Sequence, residues 1–178
     1  MSRVRVIALG SEMGGDDAAA LIAARALDAE NVLAENVLAE NELAENVLTE
    51  NVLTEIVLAG RPGPSLIELF EPGVPIVLLD VVRRGAEPGR IVEMDLQDLL
   101  SAGTSSKRAN SHDLGPVEAL RLAEALGRPF PCGRFVGVGG KDFRPGAALS
   151  PEVQESLPAL VAALRRALAR VASSDRTP

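Results

Sequence analysis

Two near-continuous apolar runs organise the chain. Val4 to Leu9 is short, rich in Val and Ile, and ends at Gly10; Pro75 to Val82 (PIVLLDVV) is its longer counterpart. Segments that are apolar on both faces are typical of strands buried in a parallel sheet. Arg90 to Met94 and Arg134 to Val138 read as further strands. Between these runs the spacing becomes helical. The loop Ser11-Glu12-Met13-Gly14-Gly15 leads into an Ala/Leu/Ile-rich helix that starts at Asp16 or Asp17 and runs to about Ala29. From Leu114 to Leu126 a second helix puts Ala119, Leu122, Ala123 and Leu126 on one face, with Pro116 tolerated in its first turn. The last helix has the clearest signals. Ser150 caps it, Pro151 takes its first position, and Leu157, Leu160, Val161, Leu164 and Leu168 make its apolar stripe; Ser173 to Pro178 reads as a frayed tail.

Strands alternating with helices over the whole length predict one domain, residues 1–178, of the α/β class: a three-layer α/β/α sandwich with a mainly parallel sheet. In such sheets ligands bind beyond the carboxyl ends of the strands, near the point where the strand order reverses. Gly10 and Asp80 stand at or near two such ends, which is where chemistry is to be sought.

The pattern breaks at residues 31–55, which hold five tandem units: NVLAE, NVLAE, NELAE, NVLTE and NVLTE. In a helix, successive units rotate by roughly 140°, so Leu33, Leu38, Leu43, Leu48 and Leu53 spiral around the axis and form no stripe. The tract reads as an insertion by repeat expansion that lengthens the first helix or its exit loop. An arm that binds a partner is the sharper alternative.

Composition narrows the function. With four Phe and neither Tyr nor Trp, the core must be aliphatic. A net charge of -7 argues against nucleic acid or an anionic membrane as partner. No apolar stretch has the length of a signal peptide or a membrane span, so a soluble cytoplasmic protein is expected. Cys132 is the single cysteine, which excludes an internal disulfide and a multi-cysteine metal site. His112 is the single histidine, so chemistry that needs imidazole must use it.

Three acidic positions and this histidine are the candidates. Asp16 and Asp17 at a helix start suit N-capping, but one aspartate suffices for that. Asp80 sits in an apolar strand, where a carboxylate is costly unless it is paired, protonated or bound to a cation. His112, in Asn110-Ser111-His112-Asp113, precedes a helix. Two carboxylates and one imidazole can supply three ligands to a divalent transition metal, with Ni, Zn or Fe favoured over Mg or Ca. Other constellations fail: the Gly10–Gly15 loop lacks the GxGxxG spacing and a Walker lysine, and no GxSxG elbow occurs.

In order and spacing, the segments VIALGSEMGGDDAAA, AGRPGPSLIELF, IVLLDVVRRGAEPGRI, SHDLGPVEALRLAEALG and VGVGGKDFRPGAALSPEV resemble the hydrogenase maturation protease family along nearly the full chain. The resemblance implies a phosphorylase/hydrolase-like sandwich and an endopeptidase. Its implied partner is the precursor of a nickel-iron hydrogenase large subunit, whose C-terminal extension it removes. It further implies that Asp17, Asp80 and His112 form the site, as metal ligands and as the catalytic set, with nickel presented by the substrate. Asp16 is the weaker member of its pair. Three departures stand out: Ser11 replaces the usual asparagine, Leu58-Ala59-Gly60-Arg61-Pro62-Gly63 replaces an acidic, Gly-Gly-Thr type turn, and the pentapeptide tract is inserted. The changed turn leaves room for two alternatives, a relative that holds nickel or a large-subunit tail without cutting it, and a peptidase of the same fold acting on another protein. A nucleotide held by the glycine-rich turn is a weaker third reading.

Overall fold

A computed structural model of the chain describes residues 2–40, 52–102 and 115–174. Its strands are β1 (Ser2–Leu9), β2 (Val52–Gly60), β3 (Ile76–Val82), β4 (Ile91–Asp95) and β5 (Gly133–Gly139). Its helices are α1 (Ala19–Glu40), α2 (Leu96–Ala102), α3 (Pro116–Ala125) and α4 (Pro151–Ser174), with short 3-10 turns at Gly15–Ala18 and Gly63–Leu69. The strands form one sheet in the order β2-β1-β3-β5-β4. All neighbours are parallel except β4, which runs antiparallel along β5 at the edge.

The continuous apolar runs arise because helices cover both faces of the sheet. Val4, Val6 and Ala8 of β1, with Val77, Leu79 and Val81 of β3, pack against α1 and α4. The alternate residues Ile7, Leu9, Ile76 and Leu78 pack against α2, α3 and the Gly63–Leu69 turn. The three-layer α/β/α sandwich with a mainly parallel sheet is therefore the observed architecture. α1 lies on the sheet through Ala19, Ala20, Ala23, Ala24 and Leu27, and α4 meets it through Val153, Leu160, Leu164 and Ala167. Phe70 and Phe135 are the aromatic members of the buried core, which is otherwise aliphatic. No helix among the described residues is long and apolar enough to cross a membrane.

The chain leaves β1 through α1 to reach β2 on one side, then places β3 on the other side of β1. The order thus reverses between β1 and β3, and their carboxyl ends border the crevice that such a reversal opens.

Several element boundaries differ from the sequence expectation. α1 continues past Ala29 to Glu40, so the first two pentapeptide units are helical, whereas the last unit enters β2 at Val52. α2 and the Gly63–Leu69 turn were not expected. α3 begins at Pro116, because Gly115 is its N-cap and the Glu118 Oε2 accepts a hydrogen bond from the Gly115 N–H at 3.2 Å; Leu114 lies outside the described residues. Its buried face is Ala119, Leu120 and Ala123, while Leu126 is 59% exposed just past the helix end. α4 extends through Ser173, which was expected to fray, to Ser174.

The corrected face of α3 sets a test. Leu120→Ala should cost about 2–4 kcal/mol of folding stability, whereas Leu126→Ala should change it by no more than about 0.5 kcal/mol. Urea denaturation of the two variants checks the contrast.

Candidate active site

The turn after β1 is held by close backbone packing. Gly10 has φ +132°, and a Cβ there would fall 2.0 Å from the Asp17 carbonyl oxygen. That approach lets the Ser11 N–H donate to the same oxygen at 3.2 Å and folds the loop back onto the Gly15–Ala18 turn. Gly15, at φ +60°, similarly lies against the Asp142 carbonyl, where a Cβ would be 2.4 Å away.

The two adjacent aspartates then part company. Asp16 is fully buried. Its Oδ2 accepts the Lys141 N–H at 2.7 Å, the Asp142 N–H at 2.9 Å and the Ser150 hydroxyl at 2.9 Å, and its Oδ1 accepts the Ser150 N–H at 2.6 Å. Burial pushes this carboxyl up, but the donors from Asp142, Ser150 and Lys141 outweigh it and leave the pKa below the usual carboxylate range. Ser150 therefore opens α4 differently from the expected hydroxyl cap: its carbonyl accepts the Gln154 N–H, and its hydroxyl serves Asp16.

Asp17 turns into a pocket beyond the strand ends. Its Oδ2 accepts two bonds from Arg61, at 3.0 Å from Nε and 2.6 Å from Nη2, and its Oδ1 accepts one from Arg83 Nη2 at 3.1 Å. Arg61 reaches it because β2 carries a bulge: Ala8 pairs with Leu58 but Leu9 with Gly60, which leaves Ala59 extra. The Gly10 N–H donates to the Gly60 carbonyl at 2.8 Å, and Gly60 turns at φ +65°, so the next residue is aimed across the loop. Arg83 follows β3 and lies over the Phe143 ring, 4.3 Å from its centroid.

Asp80, in the same pocket, is half-buried and accepts the Val81 N–H at 2.8 Å. Burial raises its pKa to about 7, with the Asp17 charge adding to the rise and the Val81 N–H, Arg83 and Arg61 opposing it. The pocket measures about 200 Å³ and is lined by Leu9, Gly10, Asp17, Arg61, Leu66, Asp80 and Arg83, with Gly115 and Pro116 closing one wall. His112 lies outside the described residues, three positions before that wall. Among the described residues no three ligating side chains cluster. The structure thus brings Asp17 and Asp80 to one pocket and commits Asp16 to loop structure.

A family model described as hydrogenase maturation protease matches residues 37–167. The chain belongs to the hydrogenase maturation protease family. Members are peptide hydrolases, and the protein is an endopeptidase of that class. Asp80 and His112 fall inside the matched residues; β1 and its acidic turn precede them. The fold is that of solved maturation proteases. The hydrogenase maturating endopeptidase HybD from Escherichia coli is 20% identical with a TM-score of 0.69, over 96% of this chain and 93% of that one. The NiFe hydrogenase maturation protease HybD from Thermococcus kodakarensis is 24% identical with a TM-score of 0.62, over 92% and 97%. HycI from the same archaeon is 19% identical with a TM-score of 0.55, over 94% and 92%. No curated protein sequence matches the chain.

In this protease the sequence reading missed Arg61 and Arg83 as members of the site. Each directly follows a strand end, a position that by itself does not separate them from solubilising arginines. The carboxylate oxygens of Asp17 and Asp80 fit a divalent cation, since Asp80 meets a single N–H among the described residues and the partners of Asp17 are half-exposed side chains rather than backbone. Any such cation must compete with two guanidiniums.

The raised pKa of Asp80 has a stability consequence. The folded protein holds a proton there that the unfolded chain releases near its ordinary value of 3.8, so the ionised carboxylate destabilises the fold as pH rises from about 4 to about 7. Asp80→Asn should therefore stabilise the protein at pH 8 by about 1–3 kcal/mol and leave it nearly unchanged at pH 4. Asp16 works in the opposite sense, and Asp16→Asn should destabilise most at neutral pH, where its ionised form is held by four donors. Thermal unfolding against pH for the two variants checks both signs.

Proposed function

We propose that the protein removes the C-terminal extension of the nickel-loaded, immature large subunit of a nickel-iron hydrogenase, with Asp17, Asp80 and His112 reading the nickel that the substrate presents. The observation that carries the reading is the convergence of Asp17 and Asp80 on one pocket at the strand-order reversal, with the chain that follows His112 forming its wall. Two carboxylates and an imidazole suit a borderline divalent ion better than Mg or Ca. Nickel held by the substrate would polarise the scissile carbonyl. Requiring it makes cleavage conditional on metal insertion being complete.

Within this reading the two aspartates divide the work. Asp80, with its pKa at about 7, is suited to take the proton of the attacking water and pass it to the leaving amine as the C–N bond breaks. Asp17, paired with two arginines, is suited to hold charge. The alternatives, a protein that binds the tail without cutting it or a peptidase for another protein, separate in the same assay.

That assay is mass spectrometry of nickel-loaded large-subunit precursor after incubation with the wild type. Loss of a C-terminal peptide is expected with the wild type only. Asp17→Asn, Asp80→Asn and His112→Ala should each lower the cleavage rate by about 100-fold or more while unfolding cooperatively. Full cleavage by all three folded variants would sink the site assignment, and an intact precursor with the wild type would sink the substrate.

A further inference from the structure

The Asp17 carboxylate lies beneath the two arginines. Its side chain is 5% exposed, whereas those of Arg61 and Arg83 are 53% and 46% exposed. Both carboxylate oxygens are engaged, Oδ2 twice and Oδ1 once. A free divalent ion arriving from solvent would have to displace two unit positive charges that already bond the oxygens it needs. Neither arginine is held merely as a surface charge. Arg61 is aimed by the Ala59 bulge and the Gly60 turn, and Arg83 is braced on Phe143, whose loop is fastened by the Asp16 carboxylate through Lys141 and Asp142. Cations built in on two separate strand ends toward one buried carboxylate make an arrangement more specific than a solvated rim.

We propose that Arg61 and Arg83 form an internal counter-ion latch that denies Asp17 to free metal and opens only when the metal arrives on the substrate polypeptide. The latch rests on the reading of the pocket as the place where the substrate's metal is sensed. It supplies what that reading lacks. Carboxylates left without counter-ions in such a pocket would take up divalent ions from solution, and a scavenging site cannot report whether the substrate has been loaded. Two guanidiniums raise the threshold, and a large substrate can meet it because its contacts elsewhere add to the binding energy available at the metal. The guanidiniums, once displaced, remain beside the pocket as donors for carboxylate or carbonyl oxygens of the bound chain.

The test uses nickel(II) chloride alone in equilibrium dialysis against the full chain at pH 8. Arg61→Gln/Arg83→Gln should bind one nickel per chain roughly tenfold or more tighter than the wild type, since a neighbouring opposite charge of this kind moves affinity by at least that factor. Each single variant should fall between, and adding Asp17→Asn to the double variant should abolish the gain. Because each single variant keeps one counter-ion on the buried carboxylate, the pair remains informative where the double variant fails to unfold cooperatively. Equal nickel affinity in the wild type and the folded variants would overturn the latch, as would a gain that survives Asp17→Asn. The dialysis needs no precursor, so its outcome is independent of whether the cleavage assay succeeds.

Discussion

Asp16 accepts four hydrogen bonds from residues 125 to 134 positions further along the chain, and no solvent reaches it. This carboxylate joins the exit of the first strand to the loop that precedes the last helix. Its donors are backbone N–H groups and one hydroxyl, none of which can leave without unpicking a loop. A buried ionised carboxylate is tolerable only when its hydrogen bonds are complete. Here they are, and the cost of burial is converted into a fixed geometry for everything attached. Asp17, the next residue, is turned outward by the 3-10 turn that Asp16 anchors. Phe143, next to the Asp142 N–H, is set under Arg83 by the same anchor.

The dipeptide therefore places identical side chains in opposite electrostatic situations. Asp16 is balanced by neutral dipoles that stay, Asp17 by charged groups on half-exposed side chains that can move. Only the second arrangement leaves a carboxylate available to a ligand. Asp80 is a third case, held near neutrality by burial and by the Asp17 charge, and without a cation in direct contact among the described residues. A carboxyl that costs free energy on ionisation adds nothing to the stability of the fold at neutral pH. Its presence in a pocket lined by a second carboxylate is the pattern expected where stability is traded for activity.

The layers were legible in the sequence because they rest on local periodicity, and the apolar runs at Val4–Leu9 and Pro75–Val82 need only the covered sheet to explain them. The burden of Asp80 was legible for the same reason, a charge interrupting such a run. The division of labour between Asp16 and Asp17 was visible only by resemblance, since nothing local says which of two neighbours faces inward. Arg61 and Arg83 were illegible because their meaning lies 44 and 66 residues away, at Asp17. An arginine after a strand otherwise reads as a solubilising residue. The pentapeptide tract shows the limit most directly. Units ending in Ala-Glu at 31–40 are helical, while the unit ending in Thr-Glu at 51–55 enters a strand. Exchanging Ala for Thr shifts intrinsic preference toward strand by a few tenths of a kcal/mol. Pairing with β1 supplies the rest, and pairing is not a local property.

That same pairing explains how the connection between α1 and β2 can differ in length without the change reaching the site. β2 is fixed from Val52 by its register with β1, beginning opposite Ser2. Glu55, the last residue of the tract, is held by Arg3 and Arg5, and Arg5 is itself buried and bonded to the Leu69 carbonyl. The far end of β2 is fixed again by the bond between Gly10 and Gly60. Lengthening the connection between α1 and β2 therefore changes only its closure entropy, which grows by roughly 0.6 kcal/mol for each doubling of a flexible loop. The position of Arg61 is set downstream of all these ties. Extra units can accumulate between the helix and the strand while the pocket, one strand length away, keeps its geometry.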